Sequence, residues 1–237
     1  MVETNSFGGS RYMLAKYGFG ERVEELNRLG AELARSVAPP GRFVLGSIGP
    51  TGEFLEPNGT ATETEMFDVF AEQARGLAAG GVDAFCVETM SDLAECTLAI
   101  RAAKEVSGLP VVATMTFDKG PRGFFTMMGI TPAGAAEQLS AAGADLVGSN
   151  CGIAIDHMIE IIADMRAATR TPILTHINAG IPRIESGQIV YPDNPEMMAE
   201  CIPRVVQAGA NVVGGCCGTS ADHVRAFVEA CRQAGYE

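Results

Sequence analysis

The sequence has no cluster of lysine and arginine, no long apolar run, no low-complexity tract and no linker-like stretch. Each absence excludes something. Seventeen basic residues stand against 29 acidic ones, for a formal charge of -12, so no basic face is offered to nucleic acid or an anionic membrane. An acidic balance favours solubility and designates no partner. No uncharged apolar stretch approaches the roughly 18 residues needed to span a bilayer. The opening Met1-Val2-Glu3-Thr4-Asn5 lacks the basic and apolar regions of a signal peptide, so a cytoplasmic location is expected. Without a linker, residues 1–237 read as a single domain, long enough to bury a sizeable core. The three histidines show no metal-ligand spacing. His157 and His223 lie near helix starts and read as solvated, whereas His176 alternates within a strand and reads as a core residue.

What is present is a repeat of short apolar segments and longer amphipathic ones. Hydrophobic residues make up 47% and charged residues 19%, as in ordinary soluble proteins. Strands are expected at 43–48, 82–88, 110–116, 144–150, 172–178 and 210–215. Each is almost wholly apolar, as when both faces of a parallel sheet are covered. Helical stripes lie between them: Ile155, Met158, Ile159 and Ile162; Val224, Phe227, Val228 and Cys231; and Val23, Leu26, Leu29 and Leu33. Thr62 and Glu65 have the spacing of a capping box. Thr131-Pro132 and Asn194-Pro195 each set a cap residue before a proline suited to the first turn.

Such alternation suits either a closed (β/α) barrel or an open doubly wound sheet. Asn5, Gly49-Pro50, Glu88-Thr89, Asn150-Cys151, Asn178 and Cys216-Cys217 all fall at C-terminal strand ends. Polar and reactive residues spread over many strand ends favour the barrel; an open sheet gathers them at one switch point. The expected fold class is therefore α/β, a (β/α)8 TIM-type barrel. Six full strands and a stub at residues 1–5 are legible, so the barrel is expected to be incomplete at its N-terminus, wanting one strand–helix unit and most of a second strand.

Seven cysteines in a reducing compartment serve as core residues, metal ligands or catalytic thiols. Cys86, Cys96, Cys201 and Cys231 sit within strand or helix patterns and read as buried core. Cys216-Cys217 is flanked by glycines in Gly214-Gly215-Cys216-Cys217-Gly218-Thr219, where the chain turns tightly. Alone, the pair reads equally as core, a strained vicinal disulfide or a redox couple. Cys151, at another strand end, shifts the reading to a metal: three thiolates hold zinc and leave a fourth position open. Zinc stabilises a bound thiolate, and a sulfur nucleophile suits attack on an activated methyl group.

The segments ETNSFGGSR (3–11), SIGPTGE (47–53), VETMSD (87–92), SNCG (149–152), NAG (178–180) and GGCCGT (214–219) together resemble the homocysteine S-methyltransferases. That family includes the homocysteine-binding module of cobalamin-dependent methionine synthase and betaine–homocysteine methyltransferase. The resemblance runs along essentially the whole chain, and GGCCGT after an upstream Asn-Cys is its most specific part. It implies a (β/α)8 barrel, zinc on Cys151, Cys216 and Cys217, and an S-methyltransferase that forms methionine from homocysteine or methylates a related thiol. It also implies that Glu88 binds the substrate amine, as a carboxylate pairs with an ammonium. Thr4, Asn5, Asn150 and Asn178 sit at matching strand ends, where they orient substrate or ligand loops or cap turns. The loop at 46–52 reads as a substrate-side loop, since Pro50 removes an N–H donor from any phosphate cradle.

The Asp-Gly-Ala-Met-Gly-Thr-like motif that opens the family's first strand has no match here. No Asp-x-His-x-x-Gly cobalamin motif is present, so a corrinoid is expected only in trans, on a separate protein; a betaine or a methylsulfonium is the small-donor counterpart. The alternative is a catalytically reduced zinc-binding subunit pairing its open edge with another chain, and an oligomer of identical chains is compatible with either. A third class, a phosphate-binding barrel isomerase or lyase with a cysteine nucleophile, fits the paired cysteines poorly.

Overall fold

The computed structural model describes residues 1–152 and 154–236. The chain divides into two compact units, 1–113 with 139–145, and 114–138 with 146–237.

In the first unit, strands β1 (Val2–Glu3), β2 (Val44–Ile48) and β3 (Ala84–Met90) run parallel. Between them come the short helix α1 (Arg11–Ala15) and helices α2 (Val23–Val37) and α3 (Glu63–Ala79); α4 (Leu93–Val106) follows β3. Every residue of β2 is buried, which accounts for its mostly apolar sequence. The expected capping box is formed: Thr62 Oγ1 accepts from the Glu65 amide, and the Glu65 carboxylate accepts from the Thr62 amide. Strand β4 (Val111–Met115) contains the boundary between the units.

The leucine stripe of α2 is a correction. Leu29 and Leu33 are exposed, and the buried face is Val23, Asn27, Ala31 and Ala34. The cause lies in α3. A Cβ on Gly76 would stand 2.6 Å from the Glu24 carbonyl, and one on Gly80 would stand 2.5 Å from Arg28 O and Ala31 Cβ. The two helices approach through small residues, and a close approach excludes leucine from the seam.

In the second unit a hairpin of β5 (Asp118–Gly120) and β6 (Gly123–Phe125) precedes α5 (Pro132–Ala141), which also contains the boundary. Strand β7 (Leu146–Cys151), helix α6 (Ile155–Ala168) and strand β8 (Ile173–Ile177) follow. A second hairpin, β9 (Arg183–Glu185) and β10 (Gln188–Val190), then leads to α7 (Pro195–Gln207), β11 (Val212–Gly215) and α8 (Ala221–Gln233). Strands β7, β8 and β11 are parallel, in a register that pairs Cys151 with Ile177 and Ile177 with Gly215. Asn194 caps α7 by accepting from the Met197 amide, with Pro195 in its first turn.

The expected strands are thus observed, trimmed or shifted by one or two residues at their ends, and the stub is β1. The two hairpins and α1 were not foreseen, because runs of three to five residues carry too little periodicity to register. Among the described residues, no helix is long and apolar enough to cross a membrane.

Candidate metal centre

The register of the second unit explains why distant cysteines meet. Cys151 ends β7 level with Gly215, the last residue of β11, so Cys216 and Cys217 follow one step beyond it. Cys151 holds a positive φ of 65° and Gly152 one of 84°. A non-glycine residue in that region carries local strain, here at the residue that turns its sulfur toward the pair. Gly218, at φ 79°, is required on two counts, because a Cβ there would also lie 2.1 Å from the Tyr191 ring.

One sulfur from each cysteine lies within 4.8 Å of the others. Cys151 Sγ is 4.0 Å from Cys217 Sγ, and Cys216 Sγ is 3.9 Å from Cys217 Sγ. Thiolates about 2.3 Å from a tetrahedral zinc stand about 3.8 Å apart, close to the two separations that involve Cys217. Cys151 and Cys216 are half-buried and Cys217 is exposed, which leaves the cluster open on one side.

Two asparagines fix the thiols. Asn178 Oδ1 accepts from the Cys217 amide at 3.0 Å, while its Nδ2 donates to Gly152 O at 2.9 Å and to Cys151 Sγ at 3.5 Å. One side chain thereby clamps both cysteine-bearing loops. Asn150 accepts from Thr114 Oγ1 at 2.7 Å and turns its Nδ2 to Cys216 Sγ at 3.9 Å. Hydrogen bonds from Cys216 and then Asn178 bring the Cys151 thiol down to about 5. Cys216 is pushed up because it donates to Cys151, and Cys217 is pushed up by burial. One thiolate is therefore held ready at neutral pH, and two thiols must shed protons when a cation binds.

The carboxylate site belongs to the first unit. Glu88 is buried and accepts from Ser47 Oγ at 2.5 Å. Glu3, Cys86 and Glu88 each bring a ligating atom within 4.8 Å of the others. Burial, and then the charge of Glu88, push the Glu3 carboxyl up to about 7, and its buried Oε1 has no hydrogen-bond partner. Neither Glu3 nor Ser47 was singled out as a partner of Glu88, although both lie in motifs read from the sequence. Thr4 is buried: its Oγ1 meets Ser6 Oγ at 2.6 Å and accepts from the Ser47 amide at 2.9 Å. Those bonds tie the end of β1 to β2. Asn5 is exposed and lines a small cavity with Ser6, Gly8, Leu14 and Asn27.

Three secondary readings change. His223 is buried, caps α8 by accepting from the Ser220 amide at 3.1 Å, and donates through Nε2 to Asp193 O at 3.0 Å. His157 is half-covered, edge-on to Phe124. His223 is out of water and His157 only partly in it, because each packs against a residue far away in sequence. Cys201 and Cys231 are half-buried, unlike the fully buried Cys86 and Cys96, since the faces of α7 and α8 that bear them are only partly covered. His176 is a core residue as expected, with burial lowering its pKa to about 4.

Comparison with known proteins places these features in context. Residues 1–231 match the family model of homocysteine S-methyltransferase. Methionine synthase of Mycobacterium leprae (strain TN) is 32% identical over 237 residues, covering 95% of this chain and 19% of that protein. Methionine synthase of Mycobacterium tuberculosis is 32% identical over 255 residues, covering 100% and 21%. The chain thus spans about a fifth of the length of these relatives. Among solved structures, the metallated form of the homocysteine methyltransferase MmuM from Escherichia coli aligns with a TM-score of 0.76 at 20% identity, over 96% of this chain and 78% of that one. The fold class is accordingly α/β of TIM-barrel type.

Proposed function

Because the chain belongs to the homocysteine S-methyltransferase family, we propose that residues 1–237 act as one module that binds zinc and transfers a methyl group to the thiol of homocysteine. The observation that carries this reading is the open three-thiol cluster, with sulfurs 3.9 and 4.0 Å apart at the spacing of a tetrahedral zinc site. That MmuM has a metallated form is in keeping with a metal in this fold.

Cys151, Cys216 and Cys217 would hold the ion. When bound, zinc supplies Lewis acidity that keeps a fourth, substrate thiol ionised near neutral pH. The remaining work falls to the chain. Asn178 and Asn150 aim N–H donors at Cys151 and Cys216, which fixes ligand orientation and tempers the charge of three thiolates. The exposed flank at Cys217 gives a thiol and a donor room to approach in line. Glu88, braced by Ser47, is the carboxylate assigned to the substrate ammonium. Thr4 and Asn150 act by positioning neighbours, Asn178 by clamping the ligand loops, and Asn5 is the exposed member of the set.

Two donor classes fit: a methylcorrinoid on a separate protein, and a small betaine or methylsulfonium. The free state of all seven cysteines supports a cytoplasmic setting. The test is metal analysis of the purified chain with a methyl-transfer assay against each donor. The reading requires one zinc per chain and zinc-dependent conversion of homocysteine to methionine. A chain that binds no zinc, or that transfers equally well after chelation, overturns it.

A further inference from the structure

Strands β1, β2 and β3 turn one face to the helices and the other away from them. The helix side is marked by Gly46, where a Cβ would stand 3.1 Å from Leu77 Cδ1 of α3. Residues paired across a parallel ladder share a face, and neighbours along a strand alternate. Glu3 pairs with Leu45, and Ser47 pairs with Cys86. Glu3, Ser47, Cys86 and Glu88 therefore all project from the face turned away from α3. Backbone bonds fix Glu3 in that row. The Val2 amide donates to Phe43 O and the Thr4 amide to Leu45 O, each at 2.9 Å, and the Ser47 amide donates to Thr4 Oγ1 at 2.9 Å.

This row is short of donors. The Ser47 hydroxyl serves Glu88 at 2.5 Å, whereas Glu3 Oε1 is buried without a hydrogen-bond partner among the described residues. Glu3, Cys86 and Glu88 each bring a ligating atom within 4.8 Å of the others. Two covered carboxylates that close are costly to ionise together, and burial, followed by the charge of Glu88, pushes Glu3 up to about 7. Cys86 brings no relief: burial, and then the charges of Glu3 and Glu88, keep it a neutral thiol. What the row lacks is a cation.

The donor set narrows the kind of cation. Hard metal ions take at least about six oxygen ligands, more than two carboxylates supply, and a thiol that keeps its proton is no ligand for zinc. An ammonium presents three N–H donors and asks only for acceptors. Resting on the assignment of Glu88 to the substrate ammonium, we infer that Glu3 is a second binding residue for that group, its Oε1 accepting one N–H while Glu88 accepts another. In the free chain a proton on the pair stands in for the ligand; the bound ammonium replaces it, and the proton leaves to water. The two carboxylates thereby select amino thiols over thiols that lack the amine.

The test is calorimetric titration of the zinc-loaded chain, with no methyl donor present, using homocysteine and its deamino analogue, the same thiol acid without the amine. Glu3→Gln keeps the length of the side chain and removes its charge. That variant should bind homocysteine about tenfold more weakly, bind the deamino analogue at least as tightly as the wild type, and keep one zinc per chain. Glu3→Asp, a carboxylate on a shorter arm, should recover part of the homocysteine affinity. Equal homocysteine affinity in the wild type and Glu3→Gln overturns the assignment. An equal loss for both thiols also overturns it, since a merely structural role does not distinguish them. So does a second zinc per chain that Glu3→Gln abolishes, because the cation is then a metal. Glu88→Gln separates the two levels: a loss of homocysteine binding in Glu88→Gln alone removes Glu3 and leaves the proposed reaction standing. Homocysteine binding that neither variant alters overturns the assignment of both carboxylates.

Discussion

The cysteine centre of the second unit and the carboxylate cluster of the first both crowd ionisable groups, yet they manage charge in opposite ways. The thiols stand at strand ends, partly open to solvent, on loops held by glycines and Asn178. There the Cys151 thiol is shifted down and that of Cys216 up, an arrangement that a cation would complete. The carboxylates lie within β1 and β3, Glu88 buried with Ser47 as its donor and Glu3 half-buried, and Glu3 retains its proton to about neutral pH. An open site can recruit a metal to neutralise its charge. A more deeply covered one shares a proton until a cation reaches it.

This contrast can be broken by exchanging what each region depends on. Cys217→Ala should have the largest effect: zinc content should fall from one per chain to near zero, and methyl transfer should drop at least ~10³-fold. Mass spectrometry of the native protein, alongside the transfer assay, checks both. Retained zinc in that variant would show that the cluster does not depend on its exposed member.

Glu3→Gln probes the other side through stability. A carboxyl raised from 4.5 to about 7 favours the folded state while protonated, and that advantage is lost as pH rises from about 4.5 through 7. The glutamine variant, neutral at every pH, should therefore match the wild type near pH 4 and exceed it by roughly 2–3 kcal/mol at pH 8. Urea melts at the two pH values measure the difference. A gap that does not grow with pH would place Glu3 outside a buried, charge-coupled pair.

Glu88→Gln should weaken homocysteine binding by about 10- to 100-fold, the size of a lost charge-assisted contact of roughly 2 kcal/mol, while zinc content stays at one per chain. Calorimetric titration with metal analysis separates the two readouts. The smallest effect is expected for Asn178→Ala: zinc affinity lower by about tenfold, as when a residue that orients ligands is removed, with the fold intact by circular dichroism. A competition titration against a chelator reads it, and unchanged affinity would remove Asn178 from the support of the site.

Much of the molecule was legible in the residues themselves. Cys151 and Cys216-Cys217 were readable because a strand's apolar run ends where they begin and because glycines surround them. Thr62 with Glu65, and Asn194 with Pro195, were readable because a helix cap is settled within four residues. The resemblance through VETMSD and GGCCGT brought Glu88 and the family into view. The β9–β10 hairpin was not legible, since its three-residue strands carry no burial pattern. Nor was the true inner face of α2, where leucines at helical spacing suggested the wrong side.

What the sequence determined by itself, then, is whatever short-range chemistry fixes: the alternation of strands and helices, their caps, and the placing of three cysteines at strand ends. Only the tertiary structure decided what each side chain faces. The β7–β8–β11 register brought Cys151 to the level of Cys216, glycines on α3 turned Leu29 and Leu33 outward, and Asp193 drew His223 out of water. Those outcomes depend on partners tens of residues away. Burial belongs to the pair of surfaces that meet, and no local pattern carries the second surface.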